Sequence, residues 1–199
     1  MRIYDYTEIE NLLKRPLPIN MSRKNVGTGR TQVFGFCNRM SYYPWYVRNN
    51  KKYPLLYSEL LRLGTSICPF PFDAIQVNQN MTCKPHVDKG NLGLSLIVSG
   101  GNYTGGELVI NGTAYDTKYS PFIFNGAENI HWNNPITSGE KWSVVFFKIA
   151  VPPLFLSKYP SDVNDPERQY SLIDYYSDKP PPITDSRYSV QKKDLKKIT

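Results

Sequence analysis

Residues 77–110 read VNQNMTCKPHVDKGNLGLSLIVSGGNYTGGELVI. Short apolar runs in this segment are separated by links rich in glycine, asparagine and serine, the pattern of strands joined by turns. The pattern extends to about residue 149 and predicts strands at Ala74–Asn80, Gly93–Val98, Glu107–Ile110, Pro121–Phe124 and Trp142–Ile149. Many short strands with hairpin links predict a mainly β fold with flanking helices (α+β), built as a jelly-roll or cupin-like barrel.

Two helices are predicted before the strands. The first opens at Thr7, where a threonine followed three residues later by glutamate forms a capping box, and continues to about Lys14. The second has a proline in its first turn at Pro54 and ends at Gly64. Between them, residues 22–30 read SRKNVGTGR, which predicts a basic loop that is too polar for the core.

The length of 199 residues is that of one ordinary domain, and we predict a single domain over residues 1–199. Residues 1–69 hold the N-terminal helices and the basic loop, and residues 70–150 hold the β core. Residues 151–199 are rich in proline and end in QKKDLKKIT. This composition predicts a wrap against the barrel followed by a flexible basic tail.

The positive charge of the chain is concentrated in one block. Residues 14–52 carry nine basic side chains and no acidic one, whereas the whole chain has a net charge of +7. Aromatic residues are interleaved in the block, as in SYYPWYVRNNKK at residues 41–52. Basic groups for phosphates and flat rings for bases are typical of a nucleic-acid surface. A solvated basic face with buried tyrosines is the alternative.

Composition favours an intracellular protein, cytoplasmic or nuclear. The first residues, MRIYDYTEIENLL, lack the apolar segment of a secretory signal, and no run approaches the length of a membrane span. The three cysteines are widely spaced and form no CxxC pair, which favours reduced thiols. Cys83 with His86 resembles half of a zinc site, but the sequence offers no second pair.

The candidate chemistry depends on the only two histidines of the chain, His86 and His131. His86 and Asp88 are two residues apart, so an extended backbone directs both side chains to one face. A ferrous centre that activates oxygen takes two imidazoles and one carboxylate and leaves adjacent positions open. His131 is available as the third ligand.

A cation and a hydroxyl follow ten and twelve residues after His131. In the predicted strand KWSVVFFKI, Lys141 and Ser143 share one face with apolar residues. A buried lysine is costly unless an anion meets it, and the far carboxylate of a dicarboxylate co-substrate would meet this need. A lysine whose amine extends to solvent at the start of a strand is the alternative.

His86-x-Asp88, the GGEL at residues 105–108, His131 and Lys141-x-Ser143 together resemble the 2-oxoglutarate and Fe(II)-dependent dioxygenase superfamily over about residues 74–149. The resemblance implies a double-stranded β-helix fold, with iron on the two histidines and the aspartate. It also implies 2-oxoglutarate on Lys141 and Ser143, and O₂ as the oxidant.

Residues 77–110 are most similar to the TET/JBP group of that superfamily, which oxidises the methyl group of 5-methylcytosine or thymine. In that group an asparagine three residues after the aspartate contacts the target base, and Asn91 has this spacing. The co-substrate cation of TET proteins is usually arginine, whereas Lys141 is more like the prolyl hydroxylase branch.

The resemblance implies a nucleic-acid substrate, expected to be DNA, with the target base flipped out of the duplex or single-stranded. Asn91 would read the base, with Trp132 or a tyrosine of residues 42–46 stacked on it. Arg23, Lys24 and Arg30 would hold phosphates.

Two other functions remain open. One is a prolyl or other peptide hydroxylase with the same chemistry, and the other is a jelly-roll protein that binds nucleic acid without catalysis. AlkB-like demethylation is less consistent with the chain, because the arginine-rich ending after the distal histidine is missing.

Overall fold

The computed structural model describes residues 4–18, 27–38 and 44–182. In chain order the elements are α1 (Thr7–Leu13), β1 (Gly27–Asn38), β2 (Pro44–Tyr46), α2 (Asn49–Lys52), α3 (Pro54–Ile67), β3 (Ala74–Cys83), β4 (Asn91–Gly101), β5 (Thr104–Gly105), β6 (Leu108–Ile110), β7 (Thr113–Tyr115), β8 (Phe122–Phe124), β9 (His131–Asn133), β10 (Ile136–Ser138), β11 (Lys141–Ile149), a 3₁₀ helix (Pro153–Lys158) and α4 (Leu172–Tyr175).

Three antiparallel sheets form the β part. The main sheet has six strands in the order β2-β1-β3-β11-β4-β8, and a smaller sheet has the order β7-β6-β9. The third is the pair β10-β5. The predicted mainly β, jelly-roll or cupin-like fold with flanking helices is confirmed.

The two faces of the main sheet carry different side chains because residues along each strand alternate. On β11, Trp142, Val144 and Phe146 are buried in the apolar core that α1 and α3 form with the sheet. On the opposite, inner face, Val145 packs against a cluster of Ile97, Leu108 and Phe124. Since Leu108 belongs to the smaller sheet, this cluster joins the two sheets and marks the interior of the barrel.

The segment between β3 and β4 contacts the smaller sheet. Both strands pair with β11 and are antiparallel to it, so β3 and β4 run in the same direction. Residues 84–90 must therefore return from one end of the sheet to the other before β4 begins. On the way, His86 makes a β-bridge with His131 of the smaller sheet, which brings this segment to the inner face.

Residues that follow β11 pack against the end of the main sheet at which β3 begins and β11 ends. Val151, Phe155, Val163 and Leu172 form a second apolar cluster with residues of the sheet. The fully buried ion pair of Arg168 and Asp73 joins this segment to the start of β3. The flexible tail predicted at the end of residues 151–199 lies, from residue 183 onward, outside the described residues.

Two helix-end predictions are wrong. Thr7 is the first helical residue and makes no capping box; Tyr6 is at the N-cap, and the Asp5 carboxylate accepts the Thr7 N–H at 3.0 Å. Helix α3 continues past Gly64 to Ile67. Gly64 serves packing here, because a Cβ atom on it would lie 2.4 Å from the Phe72 ring and 2.7 Å from the Phe146 ring.

The predicted basic loop is partly wrong as well. Its last residues, from Gly27, begin β1, which pairs with β3 from Gly27 opposite Cys83 to Gly35 opposite Ala74. Backbone hydrogen bonds to β3 hold this polar segment in the sheet. The register shifts at a β-bulge between Thr28 and Arg30, where Gly29 has a φ of +122°. In the described part of the chain, no helix is both long and apolar enough to cross a membrane.

Candidate metal centre

Backbone pairing brings the two histidines side by side. The His86 N–H donates to the His131 carbonyl at 3.1 Å, and the His131 N–H donates to the His86 carbonyl at 2.9 Å. Residues paired in this way in an antiparallel ladder direct their side chains to the same face. The two imidazole rings accordingly lie 4.4 Å apart between centroids, at 50° to each other.

The outer nitrogen of each ring is held by the backbone of the same loop. His86 Nδ1 lies 2.7 Å from the Lys84 carbonyl oxygen, and His131 Nδ1 lies 2.9 Å from the Asn129 carbonyl oxygen. Because a carbonyl only accepts, each Nδ1 carries the proton. In the neutral ring the lone pair is then on Nε2, the atom that a histidine with a hydrogen-bonded Nδ1 offers to a metal.

The Asp88 carboxylate faces both Nε2 atoms. Its Oδ1 is 3.7 Å from His86 Nε2, and its Oδ2 is 3.5 Å from His131 Nε2. The Asp88 N–H donates to the Gly126 carbonyl at 2.8 Å, which fixes the backbone at this point. One ligand atom from each of the three side chains lies within 4.8 Å of the others.

This donor set fits Fe(II). Two imidazole nitrogens and one carboxylate on one face form the set that non-haem iron oxygenases use. Among the described residues, His86, Asp88 and His131 are the group of histidine, cysteine and acidic side chains that lie close enough together to hold an ion. Cys83 is not a member, so the described structure does not support the half zinc site.

Gly126 and Phe124 close the wall beside the triad, and the sequence reasoning did not identify them. A Cβ atom on Gly126 would lie 3.3 Å from His131 Cε1 and 3.5 Å from Asp88 Oδ2. The Phe124 ring packs edge-on against His131 at 5.2 Å between centroids. The only sequence signal for this wall is a glycine that follows a short aromatic strand.

Lys141 is buried inside the barrel and does not extend to solvent, with only 5% of its surface exposed. Its ammonium group donates to the Gly106 carbonyl and lies 5.1 Å from the centre of the Tyr103 ring. Burial lowers the pKa of Lys141 from 10.5 to about 8, although Glu107 and Asp116 partly oppose this change. No carboxylate of residues 4–18, 27–38 or 44–182 forms an ion pair with this buried cation, which is therefore suited to receive an anion.

Ser143 lies on the same inner face of β11 and is also buried. Its Oγ accepts a hydrogen bond at 3.2 Å from the Asn78 amide on the neighbouring strand β3. Neither Asn78 nor Tyr103 was predicted as a site residue. Both are far from Lys141 and Ser143 in sequence, so only the sheet register brings these groups together.

Asn91 is beside the triad. Its backbone N–H donates to the Asp88 carbonyl at 2.9 Å, and its Nδ2 lies 3.5 Å from Asp88 Oδ2 and 3.4 Å from Ser95 Oγ. The amide is half-buried. Asn91 is thus in position to orient the aspartate.

Two of the other predicted substrate residues, Trp132 and Arg30, are described, and neither is brought to the triad. Trp132 follows His131 in β9, so its side chain leaves the opposite face of the strand. Arg30 donates to the Leu17 carbonyl at 2.7 Å and lines a pocket of about 580 Å³ on the helix side of the main sheet. Arg23 and Lys24 lie outside the described residues, as do Tyr42 and Tyr43.

No protein-family model matches the chain, and no curated protein matches it in sequence. A solved structure of NgTET1 in complex with 5mC DNA does match, over 89% of this chain and 72% of that one, with a TM-score of 0.51 and 13% identity. This chain is similar in fold to NgTET1.

Two further matches have lower TM-scores than NgTET1. A 2OG-Fe(II) oxygenase family oxidoreductase from Burkholderia pseudomallei has a TM-score of 0.46 and 18% identity, and the match covers 70% of this chain and 76% of that one. The viral collagen prolyl hydroxylase of Paramecium bursaria Chlorella virus-1, in its 2OG complex, has a TM-score of 0.43 and 16% identity, with 73% and 91% covered.

Proposed function

We propose that this chain is a 2-oxoglutarate- and Fe(II)-dependent dioxygenase that hydroxylates the methyl group of a nucleic-acid base, 5-methylcytosine or thymine. The observation that carries the proposal is the triad: two histidines with Nδ1 held by backbone carbonyls direct both Nε2 atoms at one carboxylate. The fold in which the triad lies is similar to that of NgTET1.

His86, Asp88 and His131 would hold Fe(II), and Lys141 with Ser143 would hold the far carboxylate of 2-oxoglutarate. When bound, the iron would supply the activation of O₂, coupled to decarboxylation of 2-oxoglutarate to succinate and CO₂. The chain itself orients the ligands through the backbone hydrogen bonds to both Nδ1 atoms. Phe124, packed against His131, belongs to the apolar cluster that joins the two sheets and shields that imidazole on one side.

A nucleic-acid substrate is supported by charge and by Asn91. Lys84 and Lys89 are exposed on the segment that carries His86 and Asp88, and the larger basic block is acid-free. These cations would attract phosphates, while the Asn91 amide, which both donates and accepts, would read a base edge. The base would have to leave a duplex to reach the triad.

Peptide hydroxylation is the second candidate, and the identity of the co-substrate cation favours it. Lys141 holds an anion as a point charge and lacks the two-pronged geometry of arginine. A peptide substrate, however, gives no reason for 39 successive residues, 14–52, with nine basic side chains and no acidic one.

The test is turnover under defined conditions. The protein is loaded anaerobically with Fe(II) and 2-oxoglutarate, exposed to air with 5-methylcytosine- or thymine-containing DNA, and analysed for succinate and hydroxymethyl bases by mass spectrometry. Asp88→Ala should abolish both products, and Asp178→Ala, which removes an exposed carboxylate far from the triad in sequence, should not.

Other outcomes separate the alternatives. Succinate without a modified base in DNA would keep the dioxygenase but reject DNA as its substrate, and RNA and proline-containing peptides would then be screened. DNA binding with bound iron and no succinate would reject the enzyme and indicate a binding protein.

A further inference from the structure

A row of polar side chains crosses the inner face of the main sheet two residues from Lys141. Thr31 on β1 is paired with Asn78 on β3, Asn78 with Ser143 on β11, and Ser143 with Ser99 on β4. Thr31, Ser143 and Ser99 are buried, and Asn78 is half-buried. Four polar residues in register inside a barrel are costly to bury, so their hydrogen bonds should show what they are arranged for.

The orientation of the Asn78 amide is determined by its neighbours. The Thr31 hydroxyl donates to Asn78 Oδ1 at 2.9 Å, and Gln76 Nε2 donates to the same oxygen at 3.2 Å. With two donors on Oδ1, the NH₂ group of Asn78 is directed at Ser143, to which it donates at 3.2 Å. Ser143 Oγ is therefore the acceptor in this pair.

The direction of the hydrogen bond between Asn78 and Ser143 determines which groups the Ser143 hydroxyl can still bind. A serine hydroxyl has one proton and two lone pairs, and the bond from Asn78 uses a lone pair and not the proton. The proton is then left for an acceptor on the side of Lys141. Hydrogen bonds to a charged acceptor are stronger than neutral ones, so a serine held in this state recognises an anion better than a freely rotating one.

We propose that Asn78 is a positioning residue for the dicarboxylate co-substrate, because its bond to Ser143 directs the hydroxyl proton towards the carboxylate held on Lys141. The inference rests on the proposed function, since it concerns the same co-substrate. Asn78 acts through Ser143 and need not touch the ligand. A purely structural role in the sheet would instead affect all ligands, or only stability.

The test compares two 2-oxo acids. 2-Oxoglutarate has the second carboxylate, and 2-oxovalerate has the same 2-oxo acid end without it. Binding of each is measured by calorimetry, with Mn(II) in place of iron, for the wild type, Asn78→Leu, Ser143→Ala and the double variant. Leucine matches asparagine in shape and removes the donor.

We expect Ser143→Ala to weaken 2-oxoglutarate binding by about 10-fold or more and Asn78→Leu by about 3- to 10-fold, as for loss of a hydrogen bond to a charged group. Neither change should alter 2-oxovalerate binding by more than about 2-fold. The double variant should bind 2-oxoglutarate no more weakly than Ser143→Ala alone, because Asn78 acts through that hydroxyl.

Three results would overturn the inference: equal losses for both ligands, additive losses in the double variant, or no loss in Asn78→Leu. A wild-type protein that binds 2-oxoglutarate no more tightly than 2-oxovalerate would instead refute the co-substrate site itself. If Asn78→Leu fails to fold in a thermal unfolding scan, Thr31→Val replaces it. That variant loosens the Asn78 anchor and should cause a smaller loss with the same ligand selectivity.

Discussion

Replacing Lys141 by methionine should stabilise the protein without ligand while destroying its co-substrate site. Burial lowers the pKa of this lysine from 10.5 to about 8, a difference that corresponds to about 3 kcal/mol against the charged folded form. Methionine also loses the hydrogen bond to the Gly106 carbonyl, worth about 1 kcal/mol. We therefore expect Lys141→Met to raise the free energy of unfolding at pH 7 by about 2 kcal/mol.

The stability of the wild type and that of the variant should also depend differently on pH. Below pH 8 the lysine is charged in both states, so the wild type carries the full cost of burying the charge. Between pH 8 and 10.5 the folded form releases the proton while the unfolded chain keeps it, and stability rises through this range. The advantage of the variant should consequently shrink as the pH approaches 10.5.

The assay is urea denaturation at pH 7 and pH 10, repeated at pH 7 with saturating Mn(II) and 2-oxoglutarate. The two additions together should stabilise the wild type further than Mn(II) alone, and they should not do so for the variant. Lys51→Met, which removes an exposed lysine on α2, is the matched control and should change stability by less than about 0.5 kcal/mol. The reasoning would be refuted if Lys141→Met were less stable than the wild type at pH 7. It would also be refuted if the stability advantage of the variant were the same at pH 7 and pH 10.

Three further substitutions test the packing around the site and the barrel. Gly126→Ala places a methyl group against His131 and the aspartate, so metal titration should show affinity reduced about 10-fold or more with cooperative unfolding retained; unchanged affinity would contradict this. Arg168→Leu leaves the Asp73 carboxylate buried without its partner and should cost about 3–5 kcal/mol by urea denaturation, part of which Asp73→Asn in the same chain should recover. Gly64→Ala forces a methyl group into two aromatic rings and should lower stability by about 1–3 kcal/mol despite the higher helix propensity of alanine; a more stable variant would show that the rings can move.

The strands of the core were predictable because their signal is local. Each predicted strand overlaps an observed one, such as Glu107–Ile110 with β6 (Leu108–Ile110) and Trp142–Ile149 with β11 (Lys141–Ile149). Strand β1 was missed, since its glycines and Arg30 indicate a loop when they are considered alone. It is held by hydrogen bonds to β3, whose paired residues are 39 to 56 positions away in sequence, and composition carries no information about such partners.

The residues of the candidate site also differ in whether a local sequence pattern could identify them. Spacing within one segment shows that His86 and Asp88 share a face, and the scarcity of histidine points to His131 as their partner. Gly126 and Asn78 have no comparable signal. Their relevance comes from contacts across strands, to His131 in one case and to Ser143 in the other.

The amino-acid sequence by itself determined the class of fold, the candidate metal ligands and the presence of a lysine and a serine on one strand face, because alternation and short spacings are properties of a local chain. Only the tertiary structure decided which groups meet. It buried Lys141 beside Tyr103 and directed the Asn78 amide at Ser143. It also placed Arg30 and Trp132 away from the triad. The register between distant strands sets these contacts, and register results from the packing of the whole barrel.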